Sequence, residues 1–304
     1  MNESVLQIDA GNAFLDVNHF VPQLTDLEKA SALVLAKSAA KLKVDAQNVG
    51  VMDLSAGLDF VKELQEKAKE KGQLSLISSN LADKQTHKPV FDTEKVVEVN
   101  GVKFGIFGLI RPNRAVPPKL EVLDAFTVAE DMVKKLRMEK KADLVIGLFN
   151  YDMDQTKAIC AKVPGIDIVV MSGTGEYLVK PALAGGTLLL QSGSGGKYLG
   201  QLQITYRPER RDGNNKAEVK KLQRELDGLD SQMSGLERHF QDKPEAGNKF
   251  QELQAQRDQM EADLEKISLA FDYTQILVPM DAVLLQDAEI MKWTIPVIRA
   301  QAPH

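Results

Sequence analysis

Acidic and amide side chains stand where short apolar runs of this chain give way to turns. Val5-Leu-Gln-Ile8 runs out at Asp9-Ala-Gly11-Asn12, and Val49 opens the loop Gly50-Val-Met-Asp53-Leu-Ser-Ala-Gly57. Ala142-Asp-Leu-Val-Ile-Gly-Leu-Phe149 ends on Asn150-Tyr-Asp-Met-Asp154. Carboxylates such as Asp9, Asp53, Asp152 and Asp154 are oxygen donors of the kind that hard divalent cations take, although none of the more usual reactive side chains stands at these ends. The bland reading is that acidic residues in loops are simply solvated. A second candidate is Ser192-Gly-Ser-Gly-Gly196 followed by Lys197, which offers backbone N–H groups and a cation to a phosphate or nucleotide. The P-loop spacing is absent and a strand follows it, so a tight strand connection explains these glycines. Cys160 is the single cysteine, placed on the apolar face of a helix, where a buried inert thiol is expected. His19, His87, His239 and His304 are nowhere paired at ligand spacing and read as surface histidines.

The elements that must position these residues follow from periodicity. Ala142–Phe149 and Val163–Met171 are apolar runs bounded by turn residues, which read as strands buried on both faces. With the helical stretch between them they form a β-loop-α-β unit, and ligands in such units gather at the carboxyl ends of the strands. Upstream, a helix is expected over Asp26–Lys43 with an apolar face of Leu27, Ala30, Val34 and Leu42. A second runs through Phe60, Val61, Leu64 and Ala68 to a stop at Gly72, and a strand follows at Leu74–Ser78. Lys95–Val99 and Val102–Ile110 flank Asn100-Gly101, the strongest short hairpin signal. Arg111–Pro118 is a proline-rich loop and Thr127–Lys140 an amphipathic helix. Gly186–Gln191 and Tyr198–Tyr206 are strands on either side of the glycine-rich loop, and Asp287–Ile298 is a last short helix interrupted by Pro296. This mixture of β-α-β units and hairpins argues for an α/β layered domain.

One segment has another texture. After the break at Asp212-Gly-Asn-Asn215, Val219, Leu222, Leu226, Leu229, Met233, Leu236 and Phe240 are spaced alternately by three and four. Beyond Lys243-Pro-Glu-Ala-Gly247 the alternation resumes at Phe250, Leu253, Arg257, Met260, Leu264, Ile267 and Phe271. Two heptad seams around a short turn describe an antiparallel helical hairpin of coiled-coil type, each arm about 36 Å long at ~1.5 Å per residue. Arg257 at a seam position costs stability and fixes register. Phe271–Val278 alternates like a strand returning to the main sheet. The chain therefore divides into one domain of residues 1–212 and 271–304, interrupted by the hairpin 213–270.

Composition bounds the function classes. With 304 residues, 43% apolar and 27% charged, this is an ordinary globular composition. A net charge of -5 offers no basic face to nucleic acid, and the short cationic run Arg207–Arg211 reads as a solvated strand end. No run is long and apolar enough to span a membrane, and no cationic-then-apolar leader opens the chain. That start fits a cytosolic protein, and equally a chain from which a leader and earlier domain structure have been removed.

The order of motifs resembles the calcineurin-like metallophosphoesterases, most closely the catalytic domain of the 5′-nucleotidase family. It is carried by Ile8–Asn12, Val49-Gly50 through Gly57-Leu-Asp-Phe60, and Val99–Leu109. Ala142–Ile146, Val163–Asp167 and Gln191-Ser-Gly-Ser-Gly-Gly-Lys-Tyr-Leu-Gly200 complete it. The resemblance implies a layered metallophosphoesterase-like β-sandwich flanked by helices, with the coiled-coil hairpin inserted. It also implies two metal ions at the strand ends that activate water against a phosphate ester. The hairpin and returning strand look like a subgroup from bacterial exported proteins, which implies an extracytoplasmic, periplasmic or cell-surface, setting.

Matched residue by residue, the family's ligands are missing. An Asp-x-His element would precede Met1. The metal-bridging Asp of a Gly-Asp pair corresponds to Asn12, and the Gly-Asn-His-Glu/Asp element to Gly50-Val51-Met52-Asp53. The histidine closing the Ala142–Phe149 strand corresponds to Asn150, and the histidine of the second strand to Gly173. Asp9, Asn12, Asp53 and Asn150 remain as candidate ligands, a poor set of donors for a dinuclear site. The expectation is a non-catalytic scaffold or interaction module that needs no cofactor. Its partner surface, for another protein or a second copy, would be the hairpin 216–270. The alternative is a metal-dependent phosphohydrolase with a rebuilt carboxylate site holding magnesium or manganese.

Overall fold

The computed structural model describes residues 5–21, 23–211, 216–237, 244–280 and 287–301. The chain opens with β1 (Ile8–Asp9), α1 (Asp26–Lys41), β2 (Ala46–Asn48), α2 (Leu58–Ala68) and β3 (Leu76–Ile77), and the three strands pair in parallel in that order. Thr25 starts α1 with a capping box: its hydroxyl accepts from the Glu28 N–H while the Glu28 carboxylate accepts from the Thr25 N–H at 2.7 Å. β4 (Leu81–Asp83) precedes β5 (Glu94–Val99) and β6 (Val102–Ile110), an antiparallel hairpin turned by Asn100 (φ 51°) and Gly101 (φ 79°). β7 (Leu120–Val122) pairs back on β4. α3 (Ala125–Lys134) loosens into a π-turn over Lys135–Glu139 before β8 (Leu144–Asn150), α4 (Met153–Lys162) and β9 (Ile168–Met171). β10 (Ala182–Ala184) and β11 (Thr187–Leu190) complete a six-stranded mixed sheet of order β10-β11-β9-β8-β6-β5.

Period-two alternation assigns each face of this sheet to a layer. Phe104 and Ile106 of β6, and Leu144, Ile146 and Leu148 of β8, pack with Ala10, Ala46 and Ile77 from the three-stranded sheet. Phe107, Leu109, Val145 and Phe149 point the other way, into a core closed by α3 and α4. A third core lies between α1, α2 and the outer side of the three-stranded sheet. The layers are therefore helix, sheet, sheet, helix, with β6 and β8 covered on both faces.

β12 (Tyr198–Tyr206) and β13 (Phe271–Pro279) form a nine-residue antiparallel ribbon, Tyr206 directly opposite Phe271. In sequence, α5 (Pro208–Arg211), α6 (Lys216–Glu237) and α7 (Pro244–Ser268) lie between its two strands. α6 and α7 pack through Leu229, Met233 and Leu253, with Leu236, Phe250 and Met260 partly buried beside them. Arg257 pairs with Asp230 of α6 at 2.7 Å and with Glu261 at 2.9 Å. The last helix, α8 (Ala288–Gln301), docks through Glu289, which pairs with Lys41 and Lys71, and through Trp293 under the Lys71 ammonium.

Several details differ from the sequence reading. α1 turns Ala32, Ala36 and Ala40 to the core and leaves Leu42 exposed, because small side chains let the helix lie close on its neighbours. α2 ends at Ala68, ahead of Gly72. Pro244 begins α7, a position where its missing N–H costs nothing. Pro296 lies inside α8, which continues to Gln301. Phe271 belongs to β13 and not to the helical seam. Phe240, His239, His304 and the break at 212–215 lie outside the described residues.

Candidate functional site

The carboxyl ends of β1, β2, β8 and β9 converge, as the sequence positions require, but their side chains bond to one another and to backbone. Gly11 (φ 99°) and Asn12 (φ 62°) turn the chain sharply after β1. Asparagine tolerates this left-handed backbone better than other non-glycine residues. The Asn12 amide donates to the Ser172 carbonyl at 3.3 Å, and its oxygen accepts from the Met52 N–H at 3.0 Å. Asn150 does the same from the opposite side. Its amide donates to the Ser172 carbonyl at 3.1 Å and the Ser172 hydroxyl at 2.9 Å, and its oxygen accepts from the Val51 N–H. The Ser172 hydroxyl in turn donates to the Ala10 carbonyl at 2.7 Å.

Asp53 is fully buried, and its carboxylate faces inward. One oxygen accepts from the N–H groups of Asn12 (2.9 Å) and Gly50 (2.8 Å), the other from Phe14 (2.8 Å). Burial pushes its carboxyl up to about 7. The three backbone donors pull the other way and the nearby Asp9 charge adds to the rise. Asp9 is half-buried and accepts from the Gly11 N–H at 2.8 Å; burial raises it too, against that bond. Met52, at the position matching an imidazole, packs against the core between α1, α2 and the sheet.

Gly173 has no room for a side chain. A Cβ there would lie 2.0 Å from the carbonyl oxygen of Tyr151, whose own hydroxyl donates to the Ile110 carbonyl at 2.8 Å and fixes that loop in place. Gly50 is equally tight: a Cβ would meet the Asn12 side-chain oxygen at 2.2 Å. Asn12, Asn150 and both Asp53 oxygens are thus engaged by protein groups, Gly173 offers no donor, and Asp9 has one oxygen on the Gly11 N–H. Two bonded amides and one partly engaged carboxylate are a poor match for the pair of divalent ions that the resemblance implies. Among the described residues no group of three His, Cys, Asp or Glu side chains stands close enough to hold a metal.

The remaining sequence candidates are dispersed. Asp152 caps α4, accepting from the Gln155 N–H at 2.8 Å, and Asp154 is exposed in the first turn of that helix. The Ser192–Gly196 loop connects β11 to β12 with Gly193, Gly195 and Gly196 at positive φ, and Lys197 is exposed. His87 is exposed beside Glu121 (2.5 Å), His19 is exposed beside Asn18, and burial pushes the Cys160 thiol up to about 12. The sequence reading missed Asn48, which donates to the carbonyls of Ala10, Leu109 and Leu148 and so ties the two sheets together. It gave no role to Asn80 either, although that side chain bonds the backbone of Ile110 and Leu123. Both lie at the ends of strands too short to leave a periodic signal.

No family model matches the chain. It is similar to an uncharacterized metallophosphoesterase, YunD, of Bacillus subtilis, 26% identical over 218 residues, which covers 70% of this chain and 45% of the relative. A 5′-nucleotidase of Vibrio cholerae is 25% identical over 239 residues, 67% of this chain and 41% of the relative. Among solved structures, a 5′-nucleotidase precursor from Thermus thermophilus superposes with a TM-score of 0.57 at 20% identity, over 67% of this chain and 42% of that one. The chain spans less than half the length of each. The resemblance read from the sequence is borne out, and the chain shares the fold of the 5′-nucleotidase-type metallophosphoesterase domain. No helix among the described residues is long and apolar enough to cross a membrane.

Proposed function

We propose that this chain is a non-catalytic relative of the 5′-nucleotidases, a metallophosphoesterase-type scaffold or interaction module that works without a metal cofactor. The observation that carries this reading is Asp53: this candidate carboxylate, at the last position of the segment matching Gly-Asn-His-Glu/Asp, has both oxygens taken up by backbone N–H groups inside the protein, while Val51 and Met52 stand where the amide and the imidazole would be. Around it, Asn12 and Asn150 are neutral amides and Gly173 has no space for an imidazole. On this reading residues 1–212 and 271–304 form one domain. The segment 213–270 is a coiled-coil hairpin inserted into it, and α6 and α7 present the surface for a protein partner or a second copy. By family likeness the setting is bacterial and extracytoplasmic.

The test is metal analysis of the purified protein together with phosphatase assays on p-nitrophenyl phosphate and nucleoside monophosphates under added manganese or magnesium. The expected result is no stoichiometric metal and no turnover above the buffer blank. Stoichiometric metal with turnover that disappears in Asp9→Asn would overturn the reading in favour of a rebuilt carboxylate site.

A further inference from the structure

Asn12 and Asn150 share an unusual requirement. Each must donate and accept at once, because each faces the Ser172 carbonyl on one side and a backbone N–H of the 50–53 loop on the other. A carboxylate can only accept, so aspartate at either position would set two acceptors against each other. An aliphatic side chain would leave the Ser172 carbonyl and the loop N–H groups short of partners, which costs about 1–3 kcal/mol per buried group. A primary amide donates and accepts at once, and so satisfies both neighbours. At position 12 it also tolerates φ 62°.

We infer that Asn12, Asn150 and Ser172 form a neutral clasp that closes the strand ends by hydrogen bonds, where a metallophosphoesterase would close them through shared metal ions. This deepens the non-catalytic reading and rests on it. Four chain segments meet at the clasp: the turn after β1 through Asn12, the loop after β2 through the N–H groups of Val51 and Met52, the end of β8 through Asn150, and the residue after β9 through Ser172. The Ser172 hydroxyl carries the connection on to Ala10, whose carbonyl also receives Asn48. The clasp is thus continuous with the amide that ties the two sheets together. Because every link is between neutral groups, the closed state needs no counter-ion.

Thermal unfolding of the full chain, with excess EDTA or excess manganese chloride, tests this in the wild type, Asn12→Gly and Asn150→Leu. Asn12→Gly removes the amide while keeping a residue that adopts positive φ freely, so it deletes the bonds without straining the turn. The clasp requires that each variant unfold about 3–6 °C below the wild type, equally in EDTA and in manganese. It also requires that the double variant lose less than the sum, since both amides share the Ser172 carbonyl. If Asn150→Leu does not fold, Asn12→Gly decides alone. An Asn12→Gly protein melting within about 1 °C of the wild type overturns the clasp and leaves the non-catalytic reading intact. A wild-type melting temperature that rises in manganese with stoichiometric uptake overturns both.

Discussion

The strand ends and the α6–α7 pair handle polar groups in opposite ways. At the strand ends Asn48, Asp53, Asn80 and Asn150 are all buried, and each is held by backbone groups from other segments. Burying such groups unpaired costs several kcal/mol each, so the arrangement tolerates little change. Even its exception is tight. The Asn48 side-chain oxygen has no hydrogen-bond partner and sits against Gly108, where a Cβ would come within 2.2 Å of it. In the helical pair the seam is narrow, and the charged groups, Arg257 with Asp230 and Glu261, stay in contact with water. One region spends its polar side chains on closure, and the other keeps them solvated. Sensitivity to substitution should follow that division.

The largest effect is expected at Gly173. Gly173→Ala drives a methyl into the Tyr151 carbonyl, and we expect a loss of about 3 kcal/mol or more, read as a lower denaturation midpoint or lost soluble yield. A neutral Gly173→Ala would show that the loop after β8 yields easily and that the strand ends are not closed as described.

Next comes the pH response of Asp53. Its folded carboxyl lies at about 7, above the unfolded value, so its contribution to stability is fully present below the usual carboxylate range and is lost as pH rises through about 7. Between those limits the loss is at most about 1.4 kcal/mol per pH unit. Denaturant midpoints at acid and mildly alkaline pH should therefore converge in Asp53→Asn relative to the wild type, although the variant is less stable at both. An unchanged pH slope in the variant would remove Asp53 from the account.

The smallest effect on the domain is expected from the arm. Replacing residues 212–268 by a short Gly-Ser bridge joins a ribbon whose strands already pair at Tyr206 and Phe271, so the melting temperature of the remainder should shift by only a few °C, on the order of 1 kcal/mol. Light scattering and partner capture on the same variant test the arm as an interaction surface. Unchanged oligomeric state and partners would rule that role out.

Legibility in the sequence followed the range of the forces involved. The Asn100-Gly101 hairpin, β8, α4, the strands β12 and β13 and both long helices carry their own local periodicity and were readable, but β13, expected to return to the main sheet, pairs with β12 in a separate two-stranded ribbon. β2, β4, β7 and β10 have three residues each, too few to show a period, and are defined only by the strands they pair with. At the site, the positions Asn12, Met52, Asp53, Asn150 and Gly173 were readable by motif order. The direction each side chain faces was not. Asp53 reads equally well as a ligand or as an inward brace until Asn12, Gly50 and Phe14 are placed around it. Alanine carries little hydrophobic signal, which is why the Ala32, Ala36 and Ala40 stripe of α1 was mistaken for the side bearing Leu27 and Val34.

The double covering of β6 and β8 has a consequence for exchange with solvent. Both strands are hydrogen-bonded to neighbours on either edge and packed on either face. Water reaches their amides only when the sheets part altogether. The protons of Ile106 and Ile146 should therefore be the last to exchange and report the opening of the whole domain, while those of α6 and α7 report fraying that leaves the domain closed.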